Sequence, residues 1–536
     1  MDGGTRTGGD GEEANRSRLA DRIALGLLIV FGLLLAGFVV RSLGWRTEHD
    51  VPLAHYSAFI HAQYGTRPYQ QLFEISFPGT ILLHLGVTAI FGYGDRGVMA
   101  ANLLWFLLLS MVTARLLRPF GRLVAAGGVI VFGVAYFSYG QQMMLQRDCV
   151  LILPVATALL LHARAGLRPV ARRAVVGLLV GLAAAIKPHA AVALVPLLVD
   201  ELWPVWRDRG SPRAAGARVG DTLRIVANYA VGAAIPCGLV FAWLVATGGF
   251  GGWLEMSRQY LPLYLHMTGA HETIAGFPRL LYLLKGFLSF GAQPGWFVAA
   301  GIGVFAMILR GDARSPPSRL MRLLLGEAAA FAVYPTLAGQ FWQYHYIPFI
   351  YFVTLLASLA LRPVERPRSL GHALLPTLAL ALALLGNVQL IEAASGLVRQ
   401  GKGPDQKLRE VDEMAAYLQD HLQPGDTVQP LDWTGGVVHA MLIARARLAT
   451  RFMYDYHFYH HVSQPYIGTL RQRFLDEMAA ARPRFVVEYF GENKPWPVGK
   501  DTTRDFPALR ALLDARYRVV LAAPNFRIYD RQAAPG

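Results

Sequence analysis

The sequence predicts a polytopic α-helical membrane protein of about eleven spans, with a small α/β domain outside the membrane at its C-terminal end. Three observations predict it. Of the 536 residues, 54% are hydrophobic and 16% charged, where a soluble protein carries about a quarter charged residues, and mean hydropathy is positive at +0.34. Apolar runs of membrane length recur from Arg22 to about residue 395. The basic residues fall in short clusters between those runs, the arrangement that orients a membrane protein. The net charge of +15 therefore does not argue for nucleic acid. The two cysteines, Cys149 and Cys237, lie in or beside apolar segments and form no disulfide framework or metal motif.

The elements follow in order. Residues 1–20 are Gly-rich and polar and read as a disordered cytoplasmic tail. "RIALGLLIVFGLLLAGFVV" (Arg22–Val40) is longer than a signal core, and "RSLGW" after it lacks a small-x-small site, so it reads as a retained first span. Residues 43–95 form an outer loop with juxtamembrane helices. Within it "GTILLHLGVTAIF", from Gly79, is too short to cross and reads as interfacial or re-entrant. Further spans begin near Gly97, Leu123, Val150, Ala174, Ala190, Leu223, Pro294, Leu320, Tyr346 and His372.

Arg16, Arg18 and Arg22 are followed by "RLLRPFGR", "RARAGLRPVARR", "RDRGSPRAAGAR", "RGDARSPPSR" and "RPVERPR" on every second connection. That alternation puts the N-terminus and these clusters inside and the C-terminus outside. Counting the Gly79 helix as a span would reverse every later loop. Residues 21–395 are thus the membrane domain and 400–536 an extracytoplasmic α/β domain. "KLREVDEMAAYLQDHLQPGDTV" reads as helix, turn, strand, and "FLDEMAAARPRFVVEYF" as helix, strand. "FPALRALLDARYRVVLAAPNFRIYDR" reads as helix, strand, turn, strand.

Polar residues that orientation does not explain gather on the outer face. Asp50 and Glu48 stand just beyond the first span. They read equally as solvated carboxylates or as functional groups, and "EHD" with His55 is a weak oxygen/nitrogen metal set. Arg147 and Asp148 in "QRDCVLILP" are a structural ion pair or a charge pair for a ligand. Lys187, with His189 in "IKPHA", snorkels to the interface or contacts phosphate. His345 sits among belt aromatics in "GQFWQYHYIPF" and goes either way.

The pattern resembles the membrane glycosyltransferases of the GT-C type, especially bacterial relatives of protein mannosyltransferases and of the aminoarabinose transferase of lipid A. The resemblance rests on the Asp in the first outer loop and on "YGTRPYQQLFEISFPGTILLH", which includes Tyr69. It rests also on "LLRPFGR", the outer "RD", "IKPH", "YHYIPF" and the outer α/β domain. The chain departs from it at Phe77, Pro78 and Gly79, where Pro-Pro is common, and at "HDV", where the aminoarabinose enzyme has Asp-Glu.

The resemblance implies inverting transfer of a sugar from a polyprenyl-phosphate donor to an acceptor hydroxyl at the outer face of a bacterial inner membrane. The acceptor would be an envelope lipid, glycan or protein. Asp50 would be the general base and Lys187, Arg147 and His189 the phosphate contacts. Asp148, His55, Glu48, Tyr69 and His345 would support the acceptor side, and no cofactor is expected.

Other classes make other demands. A flippase or transporter would carry ionisable residues at mid-membrane and an internal repeat. An O-antigen ligase or polymerase would rely on a large outer loop, and Arg258, His266, His271 and Arg279 in Gly249–Gln293 leave that open. A non-catalytic scaffold gives Asp50, Arg147 and Lys187 no reason to converge.

Overall fold

The computed structural model describes residues 7–164, 166–207, 215–289, 291, 293–309, 316–362, 370–398, 406–491 and 499–532. Every one of the expected span starts carries a helix. Among the described residues, seven helices are long and apolar enough to cross a membrane, and eight if the bent pair Ala373–Leu385 and Val388–Leu397 counts as one. The expected eleven is therefore too many by that measure. Arg122–Ser138 and Pro294–Leu309 are short, and the run from Arg147 breaks at Leu151 into Arg147–Val150 and Ile152–Ala163. Counting apolar residues does not show where the backbone turns inside a run. Leu223, Val231, Leu239 and Val245 of the helix Ala215–Ala246 present large apolar side chains on the surface. Apolar surface of this kind is what contact with lipid favours, and with seven or eight apolar helices of membrane length among the described residues the protein is a multi-pass membrane protein.

The first helix begins at Thr7 and runs to Ser42. The expected tail is thus helical from Thr7 onward, and residues 1–6 lie outside the described residues. The reason is cooperativity: a helix already nucleated by the span extends backward one hydrogen bond at a time. Parts of the basic clusters, over 208–214, 310–315 and 363–369, also lie outside the described residues.

The juxtamembrane region forms two helices, Asp50–Tyr64 and Pro78–Phe91. The second is too short to span. Pro78 opens it, where a missing N–H costs nothing. Gly79 follows because the helix lies against the end of Pro169–Ile186. A Cβ at Gly79 would fall 2.1 Å from the Ala185 carbonyl oxygen, and Thr80 Oγ1 donates to the Ile186 carbonyl at 3.3 Å. The glycine where a second proline is common is thus a packing requirement, one residue pair away from Lys187. Gly79→Ala should destabilise the protein by about 1–3 kcal/mol, the usual cost of overpacking, and shift the chain leading to Lys187. Thermal melting in detergent checks the first part, and amide exchange around Lys187 the second.

The C-terminal sheet has β1 (Thr427–Leu431), β2 (Arg447–Leu448), β3 (Phe485–Tyr489), β4 (Tyr517–Ala522) and β5 (Phe526–Arg531) in the order β2-β1-β3-β5-β4. β1 pairs parallel with β2 and β3, and β5 antiparallel with β3 and β4. The helices Gln406–His421, Pro465–Ala481 and Pro507–Arg516 and the strands β1, β3, β4 and β5 stand where the sequence places them. The edge strand β2 and the helix Val437–Ile443 were not legible, since two residues show no period.

This domain is not packed apart from the rest. Leu53, Tyr56 and Phe59 of the helix Asp50–Tyr64 share a core with Val411, Met414, Val437 and Met441. Tyr56 donates to the Ala446 carbonyl at 2.8 Å, and the Phe73 amide donates to the Arg451 carbonyl at 2.7 Å.

Candidate active site

A cavity of about 350 Å³ opens beside the end of the helix Pro169–Ile186. Its lining includes the polar residues Ser76, Arg147, Lys187, His189, Tyr344 and His345 and the apolar residues Phe77, Ile186, Trp253, Met256 and Leu261. Such a mixed lining suits a ligand with a charged head and a hydrocarbon tail.

The cations are built in by short turns between helices. Lys187 ends the helix Pro169–Ile186 in an extended conformation, φ −147° and ψ 112°, and Pro188 prevents the helix from continuing. Its Nζ donates to Asp148 Oδ1 at 2.7 Å, and Tyr334 OH donates to the same oxygen at 2.6 Å. The ammonium also stands 5.2 Å from the Tyr334 ring centre. Burial lowers the Lys187 pKa, Asp148 works against that, and the neighbouring Arg147 charge adds to the lowering.

Asp148 is fully buried, and its Oδ2 has no partner among the described residues. Arg147 Nη1 donates to Ser76 Oγ at 2.6 Å and its Nη2 to Asp50 Oδ2 at 3.1 Å. Asp50 begins its helix. Tyr344 OH also donates to its Oδ2, at 3.1 Å. Oδ1 of Asp50 accepts no hydrogen bond among the described residues, and the side chain is 20% exposed.

The structure thus brings Asp50, Arg147, Asp148, Lys187, His189 and His345 together. His345 is held by its Nδ1 at 2.8 Å from the Gln340 carbonyl oxygen, and the buried His189 Nδ1 has no partner among the described residues. Tyr69 stands behind the cavity, its hydroxyl donating to the Ser76 carbonyl and so fixing the turn that offers Ser76 to Arg147. Two other expected residues lie elsewhere. His55 is paired with His84, Nδ1 to Nδ1 at 3.3 Å. Glu48 faces a small space with Lys407 and Trp433 of the outer domain. "EHD" and His55 do not converge, and among the described residues no group of three His, Cys, Asp or Glu side chains is placed to hold a metal ion.

Sequence reasoning missed Tyr334, Tyr344 and Ser76. Tyr344 sits in the aromatic stretch "GQFWQYHYIPF" that reads as an interfacial belt, Tyr334 lies inside an apolar span, and Ser76 carries no signal on its own. It also passed over Glu327, fully buried in a span with neither carboxyl oxygen partnered among the described residues. The four outer-segment residues that would serve a ligase scatter. Arg279 is spent on the carbonyls of Met267 and Gly339, and His271 is bonded to Tyr456 in the outer domain. Arg258 and His266 are exposed. None of the four lines the cavity.

A bundle of spans, two juxtamembrane helices beside a polar cavity and a small C-terminal α/β domain together make the GT-C type of membrane fold. Solved structures with this fold match the chain along nearly its whole length. One is ArnT from Cupriavidus metallidurans bound to undecaprenyl phosphate, at 16% identity and TM-score 0.58, covering 95% of this chain and 98% of that one. Another is the same protein in the apo state, at 15% identity and TM-score 0.55, covering 94% and 98%. No protein-family model and no curated protein matches the sequence.

Proposed function

We propose that this protein is a glycosyltransferase that moves a sugar from a polyprenyl-phosphate donor to an acceptor hydroxyl at the outer face of a bacterial inner membrane. The observation that carries this reading is the cavity lined by Arg147 and Lys187 together with apolar residues, beside Asp50, which Arg147 bonds. The bound undecaprenyl phosphate of ArnT, a protein of the same fold, agrees with it.

The donor's phosphate rests against Arg147 and Lys187, and its chain lies against the apolar residues of the lining. The acceptor oxygen attacks the anomeric carbon as the bond to the phosphate oxygen breaks. Its proton passes to Asp50 Oδ1, the carboxylate oxygen left unengaged, while Oδ2 is held by Arg147 and Tyr344. The departing phosphate gains charge beside fixed cations, where electrostatic stabilisation is largest. One displacement inverts the anomeric centre. The acceptor is an envelope lipid, glycan or protein. The N-terminus lies in the cytoplasm and the C-terminus outside, and no metal takes part in these steps.

The test is reconstitution of the full chain in lipid with a panel of undecaprenyl-phosphate sugars and an envelope extract as acceptor. Transfer from at least one sugar with release of undecaprenyl phosphate is expected. No release from any donor, or a reporter fused after Gly536 that is active only in the cytoplasm, would overturn the reading.

A further inference from the structure

Asp50 belongs to two bodies at once. Its partners Arg147 and Tyr344 come from the membrane domain, yet the helix it begins is packed into the core of the outer domain. What sets its position is therefore whatever fastens those bodies together next to it.

One cluster does so. Asp95 opens the span Asp95–Phe120. Its Oδ2 accepts from Arg46 Nε at 2.8 Å. Its Oδ1 accepts from the Thr47 amide at 2.9 Å, from Thr47 Oγ1 at 2.6 Å and from His439 Nε2 at 3.0 Å. Arg46 Nη1 then reaches Asp412 Oδ1 at 2.8 Å. Arg46 and Thr47 lie in the loop just before Asp50, while His439 and Asp412 belong to outer-domain helices. A single carboxylate thus ties a span, the loop and the outer domain. The link from Thr47 to Asp50 is not slack. His49 has φ 54° and ψ −121°, a conformation costly for any residue but glycine, and such strain persists only where the surroundings hold it.

We propose that Asp95 and His439 are positioning residues. They couple the outer domain to the loop Arg46–His49 and so set where Asp50 stands against Arg147. This rests on the proposed function above. A fastener without that role would change stability and leave the turnover of folded enzyme alone. A positioning pair changes kcat while donor binding, which uses Arg147 and Lys187, stays the same.

The experiment uses the full chain in lipid nanodiscs with the undecaprenyl-phosphate sugar that the wild type uses. His439→Leu removes the donor to Asp95, and His439→Gln keeps one. In His439→Leu, kcat should fall about tenfold, roughly 1.4 kcal/mol of barrier, with KM within about twofold. Amide exchange at Thr47 and Val51 should rise in the same variant, and His439→Gln should restore both readings. If His439→Leu does not fold, Asp412→Ala, at a contact whose carboxylate side chain is 58% exposed, should show the same split more weakly. Unchanged exchange in the loop overturns the coupling, and faster exchange with wild-type kcat overturns the positioning role. A wild type inactive with every donor sinks the proposed function instead, and the exchange result still decides the coupling.

Discussion

Asp50→Asn should bind undecaprenyl phosphate nearly as wild type and transfer almost no sugar, with kcat reduced about a hundred- to ten-thousandfold, the usual contribution of a general base. The substitution keeps the shape and leaves an oxygen for Tyr344 and Arg147, whose second guanidinium nitrogen holds Ser76 in any case. It removes the unengaged anionic oxygen. Glu48→Gln is the control: its side chain faces Lys407 and Trp433 rather than the cavity, so turnover should stay close to wild type. Single-turnover assays beside equilibrium lipid binding check both. An active Asp50→Asn variant would remove Asp50 from the chemistry, and a dead Glu48→Gln variant beside it would move the base by two residues.

Lys187→Ala should fail twice, in folding and in donor binding, and the two failures can be separated. The alanine leaves Asp148 fully buried with only Tyr334 as partner. Removing one member of a buried pair costs about 3–5 kcal/mol. The double variant Lys187→Met, Asp148→Asn removes both charges and should recover most of the melting temperature. It should still bind undecaprenyl phosphate about tenfold or more weakly, since a charge-assisted hydrogen bond contributes about 1.5–3 kcal/mol. Lys187→Arg should recover part of the binding, because charge is kept and geometry changes. Wild-type lipid affinity in the double variant would make the pair purely structural.

Much of the molecule was legible in the chain alone. Each span start that hydropathy gave carries a helix, because lipid contact imposes composition over some twenty residues at a time. Three helices and four strands of the C-terminal domain followed from their periods, while β2 and the helix Val437–Ile443 did not. Asp50, Arg147, Asp148, Lys187 and His345 stood out because ionisable residues at the ends of apolar runs need a reason to be there.

What the sequence determined by itself was therefore fold class, the order of elements and which polar residues to watch. It also marked Gly79 as unusual without saying why. Only the tertiary structure decided which residues meet. It joined Lys187 to Asp148 rather than leaving it to snorkel, and Arg147 to Asp50 and Ser76. It turned Glu48 and His55 away from the cavity and brought in Tyr334 and Tyr344. It also showed that the outer domain shares a core with the helix that carries Asp50. Composition and period are local properties of the chain. A pair 97 residues apart, such as Asp50 and Arg147, depends on how helices cross and where short turns aim their side chains, which no local pattern records.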